Sequence, residues 1–148
     1  MADTLTNPFL GKWTYRSFFN NPDINASTDS LLFGEGTLEF TDAPMGQVAG
    51  TIGGPLGQPG QNWLLHLEGW ISFGNPMTAR FEGTGTVGGD SWVYDYECYY
   101  VHHWPNGVEQ VDALVGSVIR TVPHPDNGGV GPAGFVASFY AVRQPPIG

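Results

Sequence analysis

Clusters of turn-forming residues interrupt this sequence at short intervals and limit the length of any helix or strand. The clusters lie at residues 20–30, 41–47, 53–62, 74–76, 88–91, 104–107 and 123–134, and in the C-terminal QPPIG. Glycine and proline account for 22 and 12 of the 148 residues, and both residue types tend to end regular secondary structure. No segment keeps a helical period over three turns without a glycine, so short strands joined by turns are expected.

About eight segments between the clusters can form strands. They span residues 9–19, 31–41, 47–53, 62–73, 77–87, 91–104, 108–122 and 133–143. Several of them, such as 62–73 and 77–87, alternate apolar and polar side chains with the period of a strand, which places the apolar side chains on one face. These faces consist of Trp63, Leu65, Leu67, Ile71 and Phe73 in one segment and of Met77, Ala79, Phe81 and Val87 in the other.

Many short strands connected by tight turns predict an all-β fold. An antiparallel up-and-down meander of about eight twisted strands closes naturally into a barrel, and closure removes the exposed strand edges. We therefore predict that residues 1–148 form a single β-barrel domain. A sandwich of two β-sheets is the alternative architecture for the same pattern.

The balance of charged residues argues against two classes of partner. Five basic and 14 acidic residues give a net charge of −9, whereas proteins that bind nucleic acids or anionic membranes present basic surfaces. The N-terminal residues show no basic segment followed by an apolar core, and no apolar run approaches about 20 residues. We therefore expect neither nucleic acid nor membrane as a partner, and a cytoplasmic location.

The segment SWVYDYECYYVHHW, residues 91–104, has two faces of different character. The even-numbered face carries no formal charge and consists of Trp92, Tyr94, Tyr96, Cys98, Tyr100, His102 and Trp104. Asp95 and Glu97 lie on the odd-numbered face, and burying unpaired carboxylates is costly whereas burying aromatic rings is favourable. We predict that the even-numbered face lines the inside of the barrel. The inverse orientation would leave the aromatic side chains outside as a subunit interface and would enclose Asp95, Glu97, Tyr99 and His103.

The turn at residues 104–107 predicts how this segment pairs with the next one. A three-residue loop ending at a left-handed glycine would pair Trp104 with Val108, and hence Tyr100 with Asp112. A two-residue Asn-Gly turn would shift the pairing by one residue and present the other face of the partner strand. We prefer the three-residue loop. In the two-residue turn, the residue that closes the ladder would be Pro105, which has no amide hydrogen to donate.

The two ends of the chain carry features of one superfamily. Gly11-Lys12-Trp13 opens the first predicted strand, and Arg143 ends the last. This pattern resembles the calycin superfamily, the lipocalins and avidins, in which a Gly-x-Trp of the first strand packs beneath an arginine of the last. The resemblance implies an eight-stranded barrel with a ligand cavity, with Trp13 and Arg143 as a structural cation–π plug. No biotin-binding set of polar residues aligns with this sequence, so biotin is not predicted.

A barrel lined by aromatic side chains predicts a binding site for an apolar or flat ligand, and hence a small apolar or aromatic molecule as the partner. The expected ligand-binding residues are Trp63, Phe81, Trp92, Tyr94, Tyr96, Tyr100 and Trp104. A structural role as an interaction subunit is a further alternative, and a homo-oligomer is considered with it, since aromatic side chains on an outer face would form an interface.

A cofactor-free enzyme of the cyclase, isomerase or lyase type is the alternative function for the same cavity. In the preferred register, Tyr100, His102 and Asp112 lie together near the turn. Asp112 would orient the imidazole of His102, and Tyr100 would donate to a carbonyl or enolate oxygen of a substrate. The other interpretation of these residues is that they only cap one end of the barrel.

No cofactor and no metal are predicted. Cys98 is the single cysteine, so a cysteine-based zinc site cannot form. Adjacent His102 and His103 point to opposite faces of a strand and cannot chelate together. The sequence contains no phosphate loop and no dinucleotide fingerprint.

Overall fold

The computed structural model describes residues 7–56, 59–103, 106–107, 111–126 and 129–145. Its main element is a closed antiparallel barrel of eight strands. These strands are β1 (Gly11–Phe19), β2 (Leu32–Thr41), β3 (Gln47–Pro55), β4 (Asn62–Ser72), β5 (Thr78–Val87), β6 (Asp90–Val101), β7 (Ala113–Arg120) and β10 (Val136–Arg143). The predicted all-β barrel is confirmed, and the sandwich alternative is wrong.

Strands that follow one another in the sequence are mostly neighbours in the barrel. The order around the barrel is β1-β10-β7-β6-β5-β4-β3-β2, and β2 pairs with β1 to close it. β1 also pairs with β10, with Trp13 opposite Arg143 and Phe19 opposite Ala137. Each of these eight strands therefore has a hydrogen-bonded neighbour on both sides, which leaves no barrel edge for another chain to extend.

The eight predicted segments correspond to the eight barrel strands, although their ends differ. The segment 108–122 differs most, since β7 covers only residues 113–120 of it. The cluster 123–134, predicted as a turn, contains a short hairpin of β8 (His124–Asp126) and β9 (Gly129–Gly131). This hairpin links β7 to β10 and lies at one end of the barrel.

One short helix, α1 (Thr28–Leu31), precedes β2 in the described part of the chain. It begins after Ser27, whose hydroxyl accepts a hydrogen bond from the Ser30 amide at 3.3 Å and so caps the helix. No helix among the described residues has the length and apolar character needed to cross a membrane.

Alternation along the strands separates the core from the outer surface. In β4 the side chains of Trp63, Leu65 and Leu67 are buried, while those between them are exposed. Phe73 was expected on the same face but is 60% exposed, because it lies beyond the end of β4, where the strand period no longer applies.

The even-numbered side chains of β6 lie inside the barrel, as their lack of charge predicts. Tyr94, Tyr96, Cys98 and Tyr100 are buried. Glu97 is exposed on the other face, as is Tyr99 at 43%. The interpretation of these buried rings as an outward-facing interface is therefore wrong.

The pairing of β6 with β7 differs from the predicted register by two residues. Tyr100 lies opposite Leu114 rather than Asp112, and Cys98 lies opposite Gly116. A shift of two keeps the same faces together, so the inward orientation is unaffected. The β6–β7 ladder ends with Val101 opposite Ala113, so Asp112 lies beyond it. On the other side of β7, the backbone carbonyl of Asp112 accepts a hydrogen bond from the Arg143 amide at 3.0 Å.

Candidate functional site

One end of the barrel is closed by residues from both ends of the described chain. The guanidinium carbon of Arg143 lies 4.3 Å from the centre of the Trp13 ring, which is a cation–π contact. The same guanidinium donates to the Leu10 carbonyl at 2.8 Å, and the Trp13 indole donates to the Phe9 carbonyl at 2.9 Å. Trp13 and Phe9 are fully buried, so this end presents packed side chains rather than an opening.

Asp112 is hydrogen-bonded into the same closed end. Its carboxylate accepts hydrogen bonds from the Tyr100 hydroxyl, from the His103 amide at 3.0 Å and from His103 Nδ1 at 2.7 Å. Arg143 Nε lies 3.7 Å from the carboxylate, and Arg143 Nη2 donates to the Tyr100 oxygen at 3.1 Å. Burial acts to raise the pKa of Asp112, but the hydrogen bonds from Tyr100 and His103 outweigh it and lower the pKa to about 2.

Two of the three residues predicted for acid/base chemistry are in direct contact. Tyr100 donates to Asp112, and burial raises the pKa of Tyr100, so the phenol keeps its proton. His102 is exposed, and its ring centre lies 4.6 Å from that of Tyr100. His103 takes the place beside Asp112 that was predicted for His102.

The opposite end of the barrel contains a cavity of about 610 Å³. Small-molecule sites have volumes of roughly 300–1,000 Å³, so this cavity has room for a ligand. Its lining comprises Tyr15, Ser17, Leu32, Phe33, Gly34, Glu35, Pro55, Leu56, Gln61, Trp63, Leu65, Trp92, Tyr94, Tyr96, Val118, Arg120, His124 and Pro125.

The residues predicted to bind ligand fall into separate groups. Those in the cavity lining are Trp63, Trp92, Tyr94 and Tyr96. Phe81 is packed behind the cavity wall, stacked on Tyr96 with ring centres 5.1 Å apart. Tyr100 belongs to the closed end, where it contacts Phe9 and Trp13. Trp104 lies outside the described residues.

The alternation of side chains along β1 and β6 directs the phenol rings into the cavity. Tyr15 and Ser17 are alternate residues of β1, and Tyr94 and Tyr96 are alternate residues of β6, so all four side chains point inward. The Tyr15 ring lies edge-on to Trp63 and to Tyr96, with centres 6.4 and 6.3 Å away. Such contacts hold the rings in defined positions around the cavity.

A chain of hydrogen bonds joins Arg120, Tyr94 and His124 in the cavity wall. Arg120 Nε donates to the Tyr94 oxygen at 2.9 Å, and that oxygen lies 2.7 Å from His124 Nε2. His124 Nδ1 lies 2.9 Å from the Pro125 carbonyl, which can only accept. Nδ1 therefore carries a proton in this arrangement, and Tyr94 donates to Nε2 when the imidazole is neutral.

Aromatic rings and the β8–β9 hairpin surround this network. Arg120 is 3% exposed, and its guanidinium carbon lies 5.4 Å from the ring centre of Phe135 and 5.7 Å from that of Phe33. A Cβ atom at Gly131 would come within 2.4 Å of Arg120 Nη1, so glycine allows β9 to approach. Trp92 stacks on His124 with ring centres 4.2 Å apart.

Sequence reasoning did not assign Arg120 or His124 to the site. Arg120 could have been predicted from the sequence, because it lies on the same face of β7 as Leu114 and Val118, which point inward. A basic residue on an inward face is notable in a chain with only five basic residues. His124 could not have been predicted, because the turn-rich segment that contains it does not reveal that the hairpin folds back onto Trp92.

Burial keeps the other protic groups of the interior in their neutral forms. It raises the pKa values of Tyr15 and Tyr96 well above the ordinary value, and it raises that of Cys98 to about 12. Cys98 is thus a protonated thiol within the core and not an activated nucleophile. Within the described ranges, no three His, Cys, Asp or Glu residues are grouped closely enough to hold a metal ion.

Comparisons with protein-family models, with curated proteins and with solved structures found no match to this chain. The eight-stranded antiparallel barrel is compatible with a calycin-like fold. We therefore infer function from the cavity and its side chains.

Proposed function

We propose that this protein binds a small apolar or flat molecule, without a cofactor, in the cavity opposite the Trp13 end. The observation that carries the proposal is a cavity of about 610 Å³ whose walls include two indole and three phenol rings. We also propose that the barrel is of the calycin type, on the basis of its eight-strand meander and the contact between Trp13 and Arg143.

The composition of the walls favours a ligand with a large apolar surface. Trp63, Leu65 and Tyr96 present rings and aliphatic carbon to the cavity, and each is at most 8% exposed. Removing apolar area from water contributes about 25 cal/mol per Å², and a flat ligand covers such walls efficiently. The packed residues at the other end make the cavity a pocket rather than a channel.

Removing the Trp63 side chain from the cavity wall tests this function. We expect a neutral flat fluorophore, phenylnaphthylamine, to bind saturably with one molecule per chain, and its emission to rise on binding. In Trp63→Ala the dissociation constant should increase about tenfold or more, because a large ring that contacts the ligand is lost. Fluorescence titration measures both quantities.

The matched control is Trp70→Ala. Trp70 lies in the same strand β4 but is 65% exposed on the outer surface. Its loss should leave the dissociation constant within about twofold of the wild-type value. Absence of saturable binding by the wild-type protein, or equal weakening by both substitutions, would contradict a ligand site in the cavity.

The alternative functions stay predictions. An acid/base enzyme based on Tyr100, His102 and Asp112 would need its substrate at the closed end, where Tyr100 and Asp112 are hydrogen-bonded to Arg143 or to each other. A homo-oligomer would use the outer surface of the barrel, where Trp70 is 65% and Leu64 is 51% exposed on β4.

A further inference from the structure

The Tyr96 hydroxyl is a hydrogen-bond donor directed at the cavity. Tyr96 is 2% exposed and lines the cavity, and its hydroxyl makes no hydrogen bond within the part of the chain that the structure describes. Among the described residues, every buried side-chain nitrogen or oxygen that is sealed from solvent has a partner. The Tyr96 oxygen therefore reaches cavity space, where a ligand atom can meet it.

The surroundings of Tyr96 are apolar, which makes an unpaired donor costly. Phe81 stacks on one face of its ring at 5.1 Å, and Phe139 lies edge-on at 5.9 Å. Val118 is its partner across the β6–β7 ladder. Neighbouring Tyr94 differs, since its hydroxyl already contacts both Arg120 and His124.

The phenol of Tyr96 remains protonated under ordinary conditions. Burial raises its pKa well above the usual value, and nearby Tyr15 and Tyr94 act in the same direction. A neutral phenol donates its proton in a hydrogen bond, so the group that it faces has to be an acceptor.

We propose that the ligand of this cavity carries a neutral carbonyl oxygen, as in a flat ketone, aldehyde, ester or amide, which accepts a hydrogen bond from Tyr96. This inference rests on the proposed binding function and adds the chemical class of the ligand. At Tyr96 itself a carboxylate fits less well, because the rings of Phe81 and Phe139 cannot pair with a buried charge, and the cation of the cavity wall, Arg120, donates to Tyr94 instead.

A pair of probes that share one frame isolates this hydrogen bond. Fluorenone and fluorene have the same three fused rings and differ at the carbonyl. The ratio of their dissociation constants should favour fluorenone in the wild-type protein, and Tyr96→Phe should reduce that preference about fivefold, the usual effect of one lost hydrogen bond. Comparing this ratio of dissociation constants between the wild-type protein and Tyr96→Phe cancels the different solubilities of the two probes.

Tyr99→Phe is the matched control, because Tyr99 lies in the same strand and is 43% exposed on the outer face. It should leave the ratio unchanged. Infrared spectroscopy supplies a second readout: the carbonyl stretch of bound fluorenone should move to higher wavenumber in Tyr96→Phe than in the wild type.

The possible outcomes distinguish failure of the carbonyl assignment from failure of the proposed binding function. If fluorene and fluorenone both bind and Tyr96→Phe changes neither the ratio nor the carbonyl stretch, Tyr96 faces a water molecule and the carbonyl assignment is overturned, while the binding function stands. If neither probe binds although phenylnaphthylamine does, the carbonyl assignment alone is overturned; if none of the three binds, both proposals are overturned.

Discussion

At the scale of single residues, the closed end of the barrel shows how a few side chains seal a β-barrel. Arg143 lies over Trp13 and at the same time donates to backbone and side-chain oxygens. Gly11 has a φ of +116°, and a Cβ atom there would lie 3.1 Å from the guanidinium, so both its conformation and its neighbour favour glycine. Asp112 completes the cluster by accepting from Tyr100 and His103.

The depressed pKa of Asp112 predicts a specific acid sensitivity. The pKa is about 2 in the folded protein against an ordinary value of 3.8. Between those values the unfolded chain takes up the proton first, so the stability from ionised Asp112 is present above about pH 4 and is lost as the pH falls toward 2. Asp112→Asn should be less stable than the wild type by about 1–3 kcal/mol near neutral pH, and the difference should shrink over that window.

Urea denaturation at several pH values measures this difference. Glu97→Gln is the control, because Glu97 is an exposed carboxylate on the outer face of β6, and it should show a small effect at neutral pH. A stability difference for Asp112→Asn that stays constant down to pH 2 would contradict the assigned hydrogen bonds.

At the scale of strands, the pairing of β6 with β7 depends on a glycine. A Cβ atom at Gly116 would lie 1.8 Å from the Glu97 carbonyl oxygen and 2.7 Å from the Cys98 Cα atom. Glycine therefore lets the two backbones come close where the barrel wall curves. Gly116 lies opposite Cys98 in this ladder, between Leu114 opposite Tyr100 and Val118 opposite Tyr96.

Gly116→Ala should destabilise the protein by about 2 kcal/mol or more, because the added methyl group forces β6 and β7 apart. Gly74→Ala is the matched control: the nearest atom to its added Cβ would be 3.6 Å away, an ordinary contact. Thermal unfolding of both variants followed by circular dichroism measures the effect. Equal midpoints for the two variants would contradict the close approach at Gly116.

At the scale of the whole molecule, the barrel links distant parts of the chain into one unit. β1 pairs with β10, so the first and last barrel strands form one ladder. Ring contacts continue from Phe9 at the closed end through Phe40 and Phe81 to Tyr96 beside the cavity. Neither end can lose its packing without disturbing strands that also form the other end.

We therefore expect a single cooperative unfolding transition. Near-ultraviolet circular dichroism reports the packed rings, far-ultraviolet circular dichroism reports the strands, and both should show the same midpoint in denaturant. A saturating cavity ligand should raise that midpoint for both signals together. An earlier loss of the aromatic signal, with the strands intact, would show that the interior melts independently of the barrel.

Much of the fold follows from local patterns, and much of the candidate site does not. The inward orientation of Tyr94 and Tyr96 was predictable, because Asp95 and Glu97 alternate with them and carry charge. The cluster of Tyr100, His102 and Asp112 was only partly predictable, because it depended on a ladder register that Asp112 does not follow. Arg120 and His124 reach the cavity through pairings over long sequence distances.

The sequence by itself determined the short strands and the face of β6 that is buried, because turn residues and period-two alternation act over a few neighbouring residues. It favoured a barrel but left the sandwich open, because closure depends on the pairing of β1 with β10 over almost the whole chain. Only the tertiary structure decided the register of β7 and the meeting of Arg120, Tyr94 and His124 beside Trp92. The physical reason is that strand pairing and hairpin docking balance contacts summed over the whole barrel, and a shift of two residues preserves every local pattern.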